Sequence, residues 1–290
     1  MLTNILILAA ALLTGFVAVF LVAYKPRRYS DVGTYGKLYD FVTALFAEKY
    51  RLRDISAAFS DFSRPLAFPF SKIFGAKELG VLLKSFESEN LALATASLFE
   101  VPPGSAYHST VTINILPRSG VRAPIMHIDF LKASAGVPGM FILDFFNVAP
   151  KEIALDAFFG KDTEALGKVL EAVSRYQRSE DQGRGKISRY LDPYKSPYRL
   201  ELLEPASGDH EERKAFYIAA LEAVMVIVPL YLKNADRQTI DPGFSLAHKA
   251  AAERLIEALR EKDFAAKMGR GIFRDDFAAY WEKGFWDSGK

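Results

Sequence analysis

Cysteine is absent from the 290 residues of this chain. That excludes disulfides, thiolate metal sites, iron–sulfur clusters and a cysteine nucleophile. Any electron-transfer role must borrow its redox centre from a partner or a substrate. No Gly-x-Gly-x-x-Gly follows a strand and no P-loop is present, so the usual nucleotide-cofactor signatures are missing. Gly183-Arg-Gly185 and Gly269-Arg-Gly271 are too short to serve. A Gly-x-Ser-x-Gly nucleophile elbow is also lacking. The four histidines, His108, His127, His210 and His248, are scattered, and no pair has metal-ligand spacing. Nor is there an excess of one charge: 37 Lys and Arg against 35 Asp and Glu leave +2. That is not the balance of a nucleic-acid-binding protein.

A long apolar run is present at one place. Residues Ile5 to Ala23 are apolar except for Thr14 and Gly15. At about 1.5 Å per residue, such a helix crosses a ~30 Å hydrocarbon core. Met1 to Asn4 carries no basic stretch, and no small-x-small site precedes Lys25, so a cleavable signal fits less well than an anchor. Lys25, Arg27 and Arg28 follow at once, which places the rest of the chain on the cytoplasmic side of a single-pass membrane protein. Residues 1–28 are thus expected to be an anchor with a basic flank, and residues 29–290 one globular domain. No Pro/Gly/Ser-rich linker divides that domain.

The globular part is organised around Ser97 to Pro150. Its short apolar or alternating runs begin at Ser97, Ser109, Pro124 and Met140, and Pro and Gly punctuate them. This predicts consecutive antiparallel strands. Because side chains alternate along a strand, His127 and Asp129 share a face, as do Thr110, Thr112 and Asn114. Glu100 and Asp144 join them if the strand registers allow. Acids and a histidine inside apolar strands are the feature that needs a reason.

Helices are expected on either side in sequence. Tyr35 to Tyr50 repeats apolar residues at helical spacing (Leu38, Phe41, Val42, Leu45, Phe46). Ser60 to Ala76 reads as a loop or edge, and Glu78 to Phe86 as a short amphipathic helix. Leu155 to Arg178 reads as helical and Leu200 to Leu203 as a further strand. His210 to Leu232 is the most apolar helix, with Pro229 expected to kink or end it. Charge interrupts it too often for a second membrane span. Ser245 to Lys262 is amphipathic. Helices on both sides of a central antiparallel sheet predict an α/β fold, a three-layer α/β/α sandwich.

The residues from Leu116 to Phe130, Leu-Pro-Arg-Ser-Gly-Val-Arg-Ala-Pro-Ile-Met-His-Ile-Asp-Phe, resemble the ferredoxin-dependent bilin reductases. Phe141-Ile-Leu-Asp-Phe-Phe-Asn-Val-Ala-Pro150 is similar to the family's next strand, with Asp144 at its Asp. Ser196-Pro-Tyr198 followed by Glu204-Pro205 resembles the family's Ser-Pro segment. The tail from Leu259 to Asp287 is similar to the C-terminal pattern, with Asp263 at a pocket-facing Asp. There are departures. Thr112 stands where four-electron biliverdin reductases carry a His, His127 replaces a Gly, and Asp263-Phe-Ala-Ala lacks the usual Pro and Arg. A membrane anchor is not usual in the family.

The resemblance implies a reductase of linear tetrapyrroles that binds no flavin, nicotinamide or metal of its own. Ferredoxin or flavodoxin would supply electrons, and protein acids would supply protons. Asp129 falls on the proton donor, with a desolvated carboxyl expected to have a raised pKa. His127 would share or relay its proton. Glu100 would bind pyrrole N–H groups or act as a second donor, and Asp263 would close the pocket. Thr112, Asn114 and Asp144 would contact the substrate. Arg64, Lys72 and Lys186 are candidates for meeting propionates or an acidic ferredoxin. Two other readings are a protein that holds a tetrapyrrole or another flat apolar ligand without reducing it, and a structural or assembly factor at the cytoplasmic membrane face.

Overall fold

A computed structural model describes residues 33–62, 65–66, 79–99, 110–131, 139–149, 151, 153–177, 193–205 and 210–262. The expected anchor, Glu100, Asp263, Arg64, Lys72 and Lys186 lie outside these residues.

In chain order the elements are α1 (Gly33–Ala44, running on into a π turn at Leu45–Lys49), β1 (Arg53–Asp54), a 3-10 turn at Ser56–Phe62, β2 (Pro65–Leu66), β3 (Leu79–Glu87), β4 (Leu91–Phe99), β5 (Thr110–Pro117), β6 (Ile125–Leu131) and β7 (Met140–Phe146). Then follow α2 (Leu155–Phe159), α3 (Thr163–Val173), β8 (Leu200–Leu203), α4 (His210–Asp236) and α5 (Pro242–Lys262). The sheet is antiparallel, in the order β1-β3-β4-β5-β6-β7-β8, with β2 pairing the other end of β3. This is an α/β fold built on a meander.

The meander is longer than the sequence suggests. Its strand expected at Ser97 begins at Leu91, and the helix expected over Glu78 to Phe86 is instead strand β3. Nine residues span only about two and a half helical turns, too few for the local pattern to decide. The partner does: Val81 to Phe86 pair with Ala94 to Phe99 along the whole edge, which satisfies the backbone of both. Pro229 likewise does not end α4, which continues to Asp236. The α4 residues Phe216, Ala220, Val224, Val228 and Tyr231 are fully buried, and this packing outweighs the lost amide.

The two sheet faces differ sharply. Across the register, Ala96, Ile113, Ile128, Leu143 and Leu200 form one row. Leu98, Val111, Phe130, Phe141 and Leu202 form the next. All are buried, and α1, α2, α3 and α4 pack their apolar sides on them. The opposite face is apolar toward one end, where Leu93, Leu116, Ile125, Phe146 and Val148 meet Ala251, Ala252 and Leu255 of α5. At the other end it carries the row Val81, Phe99, Thr110, Leu131, Met140 and Leu203. Two largely polar rows lie between.

Helix α4 is also the one described helix long and apolar enough to cross a membrane. It lies in mid-chain, and its buried side belongs to the sheet core, as expected for a core helix. At its C-terminal end Asn90, in the β3–β4 turn, donates through Nδ2 to the carbonyls of Ala235 (3.2 Å), Asp236 (3.1 Å) and Gln238 (2.9 Å). The Ala235 carbonyl also accepts from the Gln238 amide at 3.1 Å, so Asn90 reinforces the turn that closes the helix end. Asn90→Ala should destabilise the fold by about 1 kcal/mol, because the side-chain hydrogen bonds that tie the β3–β4 turn to the helix end are lost. In urea unfolding this appears as a lower midpoint with an unchanged slope.

Candidate functional site

The polar rows of the second face form the site. One row, in register, runs Ser85, Thr95, Asn114, His127, Asp144. The next runs Leu83, Ser97, Thr112, Asp129, Ile142, Glu201. Strand β6 alternates as the sequence requires: Met126, Ile128 and Phe130 enter the apolar core, so His127 and Asp129 must face the other way. Strand β5 does the same with Val111, Ile113 and Ile115 against Thr112 and Asn114. The expected shared face of His127, Asp129, Thr112 and Asn114 is therefore formed, and the register brings Asp144 into it opposite His127.

The side chains are joined as well as adjacent. His127 Nε2 lies 3.0 Å from Asp129 Oδ2, and His127 Nδ1 lies 2.7 Å from Asn114 Oδ1. The Thr112 hydroxyl donates to Asp129 Oδ1 at 2.6 Å. The His127 ring stacks on Phe146, with centroids 5.5 Å apart. Side-chain exposure is 14% for His127 and 25% for Asp129, so the pair is open to a ligand yet mostly out of water.

This bonding reverses the expected protonation of Asp129. Burial alone would raise its pKa, but the His127 charge and hydrogen bond, helped by Thr112, hold it below the ordinary 3.8. For His127, burial alone would lower the pKa; the Asp129 charge and hydrogen bond overturn that and hold it above 6.5. A proton held between the two therefore belongs to His127 rather than to Asp129.

Asp144 is completely buried. Its Oδ1 accepts from the amides of Phe145 (2.8 Å) and Ser196 (3.0 Å) and from the Ser196 hydroxyl (2.9 Å). Its Oδ2 accepts from Arg199 at 2.9 Å. A carboxylate so fully engaged within the protein holds other groups in place; its own acceptors are spent. What it holds is Arg199, whose other arm reaches Glu201 at 3.0 Å. Sequence reasoning missed Arg199. The available signal was an arginine just before a strand expected to carry only apolar and acidic residues. Among the described residues, no group of three His, Asp or Glu side chains is arranged to hold a metal ion.

No protein-family model matches the chain, and no curated protein does. A search of solved structures finds the crystal structure of phytochromobilin synthase from tomato in complex with biliverdin. It aligns over 81% of this chain and 82% of that chain, with a TM-score of 0.53 and 13% sequence identity. At that identity the similarity is one of fold. The class it defines is an α/β protein with helices flanking an antiparallel sheet.

The two pKa directions set a pH window. A raised His127 value contributes stability that is complete below 6.5 and fades as pH rises through the elevated value. A lowered Asp129 value contributes stability that is complete above 3.8 and fades as pH falls through the depressed value. The pair therefore contributes fully between 3.8 and 6.5. Asp129→Asn should remove this window. NMR titration should then find the His127 pKa well below its wild-type value, because burial is no longer opposed by Asp129. An unchanged His127 titration would break the assignment.

Proposed function

We propose that this protein binds a linear tetrapyrrole against the polar face of its sheet and reduces it, with electrons from ferredoxin or flavodoxin and protons from His127 and Asp129. The observation that carries the proposal is the hydrogen-bonded His127–Asp129 pair, mostly out of water on a sheet whose fold is shared with a biliverdin-bound protein.

The chemistry needs little else from the chain. Reducing one double bond consumes two electrons and two protons. A one-electron carrier supplies the electrons in two steps, and the tetrapyrrole's conjugation spreads the intermediate charge. The protein's share is to exclude water, orient the pigment and hold a proton beside the carbon that receives it. Asp129, the more exposed member of the pair, meets the ligand, and His127 stands behind it as the proton reservoir. Arg199, fixed by Asp144 and Glu201, keeps a positive charge beside three carboxylates and limits the negative potential of the face. Glu100 and Asp263 are assigned as a second donor and a closing group. The fold is taken as a three-layer α/β/α sandwich, tethered through residues 5–23 with its globular part at the cytoplasmic membrane face.

A second reading has one observation in its favour. Both Asp129 oxygens are already bonded inside the protein, to Thr112 and His127. A protein that only held the pigment would have use for such a fixed pair.

Full-chain protein mixed with biliverdin separates these readings. Binding appears as a shift of the long-wavelength absorption band, and reduction as loss of that band on adding reduced ferredoxin. Asp129→Asn should keep the shift and lower the rate of loss by about 100-fold or more, the usual contribution of a positioned acid. A shift without loss of the band supports the holding role. No spectral change with biliverdin or related bilins would remove the reductase reading.

A further inference from the structure

Exposure across the site face rises in one direction, away from α5. Leu93, Leu116 and Ile125, which meet that helix, are fully buried. In the next row Ser85, Thr95, Asn114 and Asp144 are 2% exposed or less, and Phe146 of the α5 cluster stacks on the His127 ring. The row of Asp129 is the first to open: Thr112, Asp129, Ile142 and Glu201 are all half-buried. Thr110, Leu131, Met140 and Leu203 of the row beyond are half-buried too. On the same strands Val111, Phe130, Phe141 and Leu202 are closed off, so the opening belongs to this face.

The row of Asp129 has a chemical order. Asp129 is paired with Ile142, and Ile142 with Glu201. Each step across the sheet is about 4.8 Å, so two carboxylates stand about 10 Å apart with one isoleucine between them. Ile142 is β-branched, which stiffens its side chain into a fixed apolar plate. Leu131 and Met140 extend that apolar surface into the next row. Glu201 Oε2 accepts from Arg199 at 3.0 Å, and Arg199 is anchored by Asp144. The second carboxylate is thus held in place, as the first is by Thr112 and His127.

We infer that Ile142 and Glu201 contact the ligand, and that the tetrapyrrole lies across the strands along the row of Asp129, its rings over Ile142 and its N–H groups at the two carboxylates. This rests on the tetrapyrrole reading and goes beyond it in fixing the ligand's direction and two residues that select it. A linear tetrapyrrole is a flat run of apolar rings with N–H groups between its ends. Acid, apolar plate and second acid are the complementary order. An ion-paired carboxylate accepts N–H hydrogen bonds, so Glu201 binds, whereas Asp129 both binds and passes the proton. A ligand laid along β6 instead would run from Asp129 into the closed row of His127.

Because the chain has no cysteine, single-cysteine variants of the full-length protein each report on one position. In ligand-free protein, N-ethylmaleimide should modify Ile142→Cys, while Thr95→Cys, one row closer to α5, should stay unmodified until urea unfolds the protein. Biliverdin should then abolish labelling of Ile142→Cys. An Ile142→Cys as closed as Thr95→Cys would overturn the inference even if biliverdin changes its spectrum. So would a bound, spectrally shifted biliverdin that leaves the labelling rate unchanged. A reactive Ile142→Cys with neither spectral change nor protection by biliverdin would remove the tetrapyrrole reading, and this ligand assignment with it. Met140→Cys, in the next row, gives the same readout should Ile142→Cys not fold. Glu201→Gln should weaken biliverdin binding about 10-fold, the worth of one hydrogen bond to a charged group, and leave the His127 titration unmoved. Unchanged affinity would show that Glu201 only holds Arg199.

Discussion

A carboxylate placed inside a sheet has to be matched where it lies, because strands cannot swing a side chain back to water as a long surface residue can. Two aspartates in this meander carry that burden, and much of the surrounding structure follows from how each is met. Asp144 is met by the Ser196 and Arg199 segment, which ties the approach to β8 against the sheet. Asp129 is met by a histidine two residues away and a threonine across the strand. The first solution is complete and closed. The second leaves a quarter of the side chain open and leaves a proton in the hydrogen bond. Two acids with similar strand contexts therefore diverge into a structural group and a chemical one.

That divergence marks where the sequence was legible. Period-two alternation put His127 and Asp129 on one face, and Thr112 and Asn114 on another strand's equivalent face, before any coordinates. Strand registers then made them neighbours, and registers are set by turns and bulges that alternation does not encode. The protonation of Asp129 failed for the same reason: desolvation is visible in an apolar strand, whereas a cross-strand hydroxyl and an ion-paired imidazole are not. Arg199 was invisible because its importance comes from Asp144, 55 residues earlier. Strand β3 was misread as a helix because a short apolar run has no period of its own until a partner edge is present. Helix α4 outlasted its proline because buried packing dominated one missing amide.

The fold comparison and the site reinforce one another without being the same argument. Fold likeness at 13% identity says how the layers are arranged. It does not require any particular residue on the polar face. That the face carries an acid, a histidine and their braces in one register comes from the residues themselves. The sheet is lopsided: one face is saturated with Ile, Leu, Val and Phe, whereas the other confines its packed core to the α5 end and holds charge in its middle rows. Such a division lets the polar rows depart from ordinary packing without unfolding the protein.

The clasp at Asn90 has a consequence for how the chain is made. The sheet is chemically complete once β8 has been synthesised, yet the turn holding Asn90 finds its acceptors only 145 to 148 residues after itself, at Ala235 to Gln238. The β5–β6 turn also waits, since Ser119 and Arg122 bind Ser245 and Asp241, 126 and 119 residues later. A nascent chain leaving the ribosome thus carries a finished sheet with both turns unfastened and its apolar face uncovered by α4. For that interval the molecule is a sticky half-product, and the C-terminal helices are the closing stitch.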